Sequence, residues 1–188
     1  FPMFSILSAI VYINGKFSLD EAFRTSQQPH LLKVIWQSIS VSASVGLLST
    51  FFGLCFALYT TRIAKKMKFI SKLFSILPIV TPPFVVGLGV VLLMGRNGTI
   101  THFLVEQFGI NKNWLYGFNG ILLSHTLALT PMAFMIIEGA LRFIPANLEE
   151  ASYSLKSSPS QTFRHILFPL LKPALANSFL ITSIQSLS

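Results

Sequence analysis

The densest set of side chains with something to do lies in residues 145–158, Pro145-Ala146-Asn147-Leu148-Glu149-Glu150-Ala151-Ser152-Tyr153-Ser154-Leu155-Lys156-Ser157-Ser158. Leu148, Ala151, Ser152 and Leu155 fall at i, i+3, i+4 and i+7, which is one face of a helix. Glu149 and Glu150 set two carboxylates beside that weakly apolar face. A short helix of this kind can dock into a groove on a soluble partner, so the chemistry on offer is recognition rather than bond-making. Asn147 with Glu150 three residues on has the form of a capping box. Ser158, Pro159 and Gln161 make a second start signal directly behind it. The pattern predicts two short helices with a break between them. It also suits an ordinary surface loop with two helix caps.

Few other residues invite catalysis. No phosphate-cradling G-x-x-x-x-G-K-S/T run occurs, no H-E-x-x-H and no G-x-S-x-G. Gly87-Leu88-Gly89 sits in an apolar stretch and reads as packing. Cys55 is the single cysteine, so no intrachain disulfide and no thiolate metal spacing can form. His125 could be a ligand or relay, but a histidine packed beside a polar neighbour is the better reading. Glu138 is expected to reach water or Arg142, four residues on.

These residues must be held by helices in a bilayer. The 188 residues are 52% hydrophobic and only 11% charged, with a mean hydropathy of +0.66. A soluble domain carries about a quarter charged residues. Spanning hydrocarbon takes about 20 apolar residues of helix. Spans are expected at 1–13 (partial), 34–59, 69–94, 119–141 and 166–185, in one transmembrane domain over 1–188. Small residues crowd the second, from Ser38 through Gly46 to Gly53, which lets helices pack closely in lipid. Pro78, Pro82 and Pro83 kink the third. Residues 14–33 and 95–118 read as outer loops, with Arg96-Asn97-Gly98 as a turn and Trp114 and Tyr116 suited to an interfacial belt.

The net charge of +8 would suit nucleic acid in a soluble protein. Here Arg62, Lys65, Lys66, Lys68 and Lys72 cluster between two apolar runs, which excludes that reading and follows the positive-inside rule. Five basic residues in 61–72 and three in 141–165 stand against three in 14–33 and two in 95–118. The first pair of connectors is therefore cytoplasmic. The opening Phe1-Pro2-Met3-Phe4 has no basic leader and no initiator Met, so the chain is expected to be truncated at both ends.

Glu150-Ala151-Ser152, Lys156, Phe163, Ile166 and Phe168-Pro169 resemble the EAA loop of binding-protein-dependent ABC importer permeases. The family pattern is Glu-Ala-Ala, three residues, Gly, then a spacer to Ile-x-Leu-Pro. Glu150, Ala151, Ile166 and Pro169 match in register. Ser152 replaces the second Ala, Phe168 the Leu and Lys156 the Gly. A glycine there permits positive φ at little cost, whereas Lys would lose about 1 kcal/mol. Either the turn is built differently or the docking surface is weaker; Lys156 can also offer charge to a partner. The prolines at 78, 82 and 83, Gly95 to Gly98, Tyr116 to Ile121 and Pro131 further resemble the ferric-iron and 2-aminoethylphosphonate branch.

The resemblance implies an all-α, polytopic membrane bundle of the ABC-importer permease type, multi-pass in the bacterial inner membrane. The implied partners are two cytoplasmic ABC ATPase subunits, a second permease unit (fused or separate) and an extracytoplasmic solute-binding protein, with no nucleic acid. ATP and Mg would bind the ATPase and no cofactor or metal this chain, which would not itself be an enzyme. Leu148, Glu149, Glu150, Ala151, Ser152, Leu155, Lys156 and Pro169 would couple to the ATPase. Glu150 would cap the docking helix or pair with a basic partner residue, Ala151 and Ser152 would allow close approach, and Leu155 would seat the helix. The path is expected along Pro78, Pro82, Pro83, Ser124, Thr126 and Thr130, unless these prolines only fit helices together. The implied cargo is ferric iron, with 2-aminoethylphosphonate or another small anionic or organic solute as the alternative. A secondary transporter or channel would need intramembrane ionisable groups that are nearly missing here; a membrane enzyme or an assembly subunit are the other rivals.

Overall fold

The computed structural model describes residues 12–13, 16–17, 29–63 and 83–188. The chain forms two compact units, Phe1–Ser40 and Val41–Ser188. In the first, β1 (Tyr12–Ile13) and β2 (Lys16–Phe17) pair antiparallel, Tyr12 opposite Phe17. This two-residue ladder leaves the all-α class intact. The expected span over 1–13 lies outside the described residues, apart from Tyr12 and Ile13.

Helix α1, Pro29–Leu58, begins in the first unit and continues through the second. It ends in a π turn, Tyr59–Ile63. Thr60 and Thr61 drive hydroxyls back onto the carbonyls of Phe56 and Ala57, at 2.6 to 3.2 Å. Such back-bonding competes with the helical ladder and bends it. Of the expected third span, residues 69–82 lie outside the described residues; α2, Pro83–Met94, is its described end.

Residues 95–118, read from sequence as a loop, contain a helix, α3, Thr99–Phe108. Arg96-Asn97-Gly98 is the turn that was expected, and it bends α3 from α2 by 41°. The loop reading missed α3 because its polar residues hide a mixed face. Thr101 is fully buried: its hydroxyl donates to the Met94 carbonyl at 2.6 Å and accepts from Trp114 Nε1 at 3.1 Å. Gly109 closes α3 at φ 63, the left-handed conformation that glycine adopts without steric cost. Arg96 lies 5.1 Å from the ring centre of Tyr116.

Then follow α4 (Phe118–Phe143), α5 (Ala146–Ser154), α6 (Pro159–Thr162), a second π turn (Phe163–Leu167) and α7 (Phe168–Leu187). Among the described residues, stretches 31–62, 118–143 and 159–187 are long and apolar enough to cross a membrane, and α2 with α3 makes a fourth if the bent pair is one span. Large apolar side chains such as Phe51, Leu92 and Leu180 point outward. An apolar surface on that scale suits lipid rather than water.

Lipid tails are as apolar as leucine, so close packing has to hold these helices together. Helix α1 supplies it with small residues. Ser42 donates to the Ser183 carbonyl of α7 at 2.5 Å, and Gly46 leaves room for Ser183 and Phe179. Ser49 reaches the Thr126 carbonyl of α4 at 3.4 Å. Further along, Ala57 joins Phe134, Ile137, Leu141 and Leu171 in the buried core. That core sits where α1 ends and α7 begins, so the α5–α6 segment is attached beside buried packing.

Gly53 tests this packing. A Cβ there would lie 2.8 Å from both Ala133 Cβ and the Phe134 amide nitrogen. Gly87 in α2 has nothing within 4 Å of that position. Gly53→Ala is expected to destabilise by about 1–3 kcal/mol through overpacking, and Gly87→Ala to be near neutral, read as unfolding midpoints in detergent. Equal midpoints for the two variants would refute the close approach of α1 to α4.

Candidate functional site

The site grows from the break between two short helices. Helix α5 starts at Ala146 behind Pro145, which holds φ −63 and ψ 134 as N-cap with no side-chain cap. The capping box expected of Asn147 and Glu150 is therefore not formed. Ala is the best helix former, so the helix begins before Asn147, whose side chain could cap only from an extended backbone.

The far end is closed by backbone alone. Lys156 N–H donates to the Tyr153 carbonyl at 2.9 Å and Ser157 N–H to the Ser152 carbonyl at 3.2 Å. These are the paired bonds of a Schellman motif, whose central residue must be left-handed. Lys156 takes that place at φ 61, and no other non-glycine described residue has positive φ. The turn is thus the one a glycine would make, built with a lysine.

Ser158 then opens α6. Its hydroxyl accepts from Gln161 N–H at 3.3 Å and its own N–H donates to Gln161 Oε1 at 2.8 Å, with Pro159 behind it. This second start signal is formed as the sequence predicts. The π turn over 163–167 leads into α7, where Pro169 is the second residue and exposed. Proline and π turns are both ways in which a helix changes direction, and here they coincide.

The four residues read as one face divide into two roles. Ser152 is buried and hydrogen-bonds Thr162 Oγ1 at 2.9 Å, so it clasps α5 to α6. Leu148, Ala151 and Leu155 are exposed, Leu155 at 82%. With Lys156, His165 and Ile166 they line a groove of about 660 Å³. Glu150 is exposed on the same helix, and its carbonyl accepts from Ser154 Oγ at 3.0 Å.

Glu149 is held from behind. Its Oε1 lies 2.6 Å from Arg62 Nη2 on the first π turn, with the two side chains 14% and 26% exposed. Neither atom has a hydrogen-bond partner among the described residues, so the contact is an ion pair held by charge at short range. Sequence reasoning placed Arg62 only in a basic cluster; the available signal was an isolated acidic pair in an otherwise cationic pair of connectors. Glu138, nearly buried in α4, pairs with Arg142 at 2.9 Å as its spacing predicts.

Of the residues proposed for a path, the described Ser124, Thr126 and Thr130 do not share one lining. Pro78 and Pro82 lie outside the described residues, and Pro83 is the first residue of α2. Ser124 lines a cleft of about 270 Å³ with Gly87, Val90 and Tyr116, while its hydroxyl donates to the Gly120 carbonyl at 2.7 Å. Thr126 and Thr130 are buried in helix packing instead. Thr130 donates to the Thr126 carbonyl at 2.6 Å. His125 Nδ1 lies 3.0 Å from Ser186 Oγ, the polar neighbour expected of a packed histidine. Among the described residues no three of His, Cys, Asp and Glu gather as a metal-binding group.

Residues 49–188 match the family model described as binding-protein-dependent transport system inner membrane component. The chain is 53% identical over 189 residues to a protein of Haemophilus influenzae provisionally named ferric transport system permease, covering 100% of this chain and 30% of that protein. It is 53% identical to the ferric transport system permease protein of Actinobacillus pleuropneumoniae, covering 100% and 28%. It is 30% identical over 156 residues to the molybdenum transport system permease protein of Escherichia coli K12, covering 81% and 67%. The chain thus spans less than a third of the two ferric relatives.

The left-handed lysine gives a direct check. Lys156→Gly is expected to stabilise the folded protein by about 1 kcal/mol by removing the Cβ clash, whereas Ser158→Ala should cost about 1 kcal/mol of cap. Denaturant midpoints of the two variants should move in opposite directions. A destabilised Lys156→Gly would mean that the lysine side chain makes contacts outweighing its backbone cost.

Proposed function

Because the chain belongs to the family of binding-protein-dependent transport system inner membrane components, we propose that it is part of the permease of an ATP-driven importer for ferric iron. Its partners on this reading are two cytoplasmic ABC ATPase subunits, a second permease unit and an extracytoplasmic solute-binding protein. ATP and Mg bind the ATPase, and this chain supplies the membrane path and the contact through which nucleotide turnover moves it.

The observation that carries the reading is the division of labour on α5. Ser152 and Glu149 fasten one side of the helix to α6 and α1. Leu148, Ala151 and Leu155, which border the same groove as Ser152, stay exposed. A helix held so firmly while showing apolar residues suits a partner surface. Lys156 at the groove edge adds a positive charge to that surface. Closure of the ATPase dimer would push α5, and the displacement would enter the bundle through α6, the π turn and Pro169. This is a rigid-body transmission between two states of access. The two relatives named for ferric transport are much more similar to this chain than the molybdenum-named one, which supports iron over other cargo.

Reconstituting the full-length protein with its ATPase and binding protein in proteoliposomes tests this. Ferric iron should accumulate only with ATP and the binding protein, and should continue when the proton gradient is collapsed. Uptake that follows the gradient without ATP would establish a secondary transporter, and uptake of 2-aminoethylphosphonate in place of iron would change the cargo. Ala151→Trp, which fills the exposed groove, should lower ATP-driven uptake about tenfold, the equivalent of roughly 1.4 kcal/mol of lost docking, at unchanged membrane abundance. Parental uptake by that variant would remove α5 as the docking element.

A further inference from the structure

We propose that Arg62 is a positioning residue for coupling: with Glu149 it forms a strut that fastens α5 to the end of α1, so that α1 and α7 are driven together. The chain itself joins α5 only to its sequence neighbours, α4 before it and α6 and α7 after it. Without a cross-link, a push on α5 would reach α1 only indirectly, through the core. The ion pair supplies a direct second attachment between residues far apart in sequence.

Three features make it more than a surface contact. Both side chains are largely shielded from water, which weakens screening relative to an exposed pair. Arg62 sits within a π turn, whose wider coil advances each residue by less about the helix axis than an α-helix does, so its side chain is displaced from the α-helical direction. The second π turn lies at the foot of α7, so the two helices that the strut would drive together, α1 and α7, each meet the coupling segment at a widened turn. Glu149 also sits apart from the outward residues Leu148, Ala151 and Leu155, so the strut leaves the docking surface open.

The coupling role rests on the importer reading; the strut does not. Two readouts separate them, both on the full-length protein. Spin labels at positions 55 and 153 report the distance between α1 and α5 without any ATPase. The parent and the double variant Arg62→Glu/Glu149→Arg should give a narrow distribution, and either single reversal a broad one. In the reconstituted complex each single reversal should raise ATP hydrolysed per iron carried by roughly threefold or more, and the double variant should bring it back to within about twofold of the parent. Narrow distances in the single variants, or no recovery in the double, would overturn the strut. Broadened distances beside a complex that fails to use ATP would leave the strut standing and remove the importer reading. Wild-type ATP economy despite broadened distances would overturn the coupling role.

Discussion

Close approach of α1 to its neighbours is the constraint on which the rest depends. In lipid no hydrophobic gain accompanies the meeting of two apolar helices, so contact must come from shape and from hydrogen bonds of modest worth, about 0.6 kcal/mol each on average. Ser42, Gly46, Ser49, Gly53 and Ala57 provide both along one helix. The glycines remove the side chains that would hold the backbones apart, and the serines use the nearness to reach carbonyls on α4 and α7. The large side chains displaced from this seam face outward, where lipid or another subunit can cover them.

The same constraint explains how a short segment can be stiff. Helix α5 has nine residues and would be marginal alone. Here it is stopped by a Schellman motif, clasped by Ser152 to Thr162, followed by a capping box and tied by Glu149 to Arg62. Each of these is small. Together they immobilise the helix while leaving Leu148, Ala151 and Leu155 uncovered. Keeping Lys156 left-handed sets about 1 kcal/mol against that stiffness, and the surrounding bonds over-determine the turn enough to hold it.

Helix type and most membrane-length stretches were legible because apolar runs and caps are local signals. Ser158, Pro159 and Gln161 announced α6 since a capping box needs only residues a few positions apart. Asn147 misled for the complementary reason: it has the right side chain, but Pro145 and Ala146 let the helix start sooner. Helix α3 escaped notice because Thr101 looks polar in sequence and is buried only through Met94 and Trp114. Glu138 with Arg142 was readable at four residues' spacing, whereas Arg62 with Glu149 was not, having no periodicity to connect them.

From residue order alone came the membrane class, the helical periodicity, the basic connectors and the short EAA-like segment, all set by local composition and spacing. Tertiary structure alone decided that Ser152 faces inward while Ala151 faces out, that Thr126 and Thr130 lie in packing while Ser124 borders a cleft, and that Arg62 meets Glu149. These depend on how far a π turn rotates a helix and on how closely Gly46 and Gly53 let neighbours approach. Such distances are created only when segments remote in the chain come into contact.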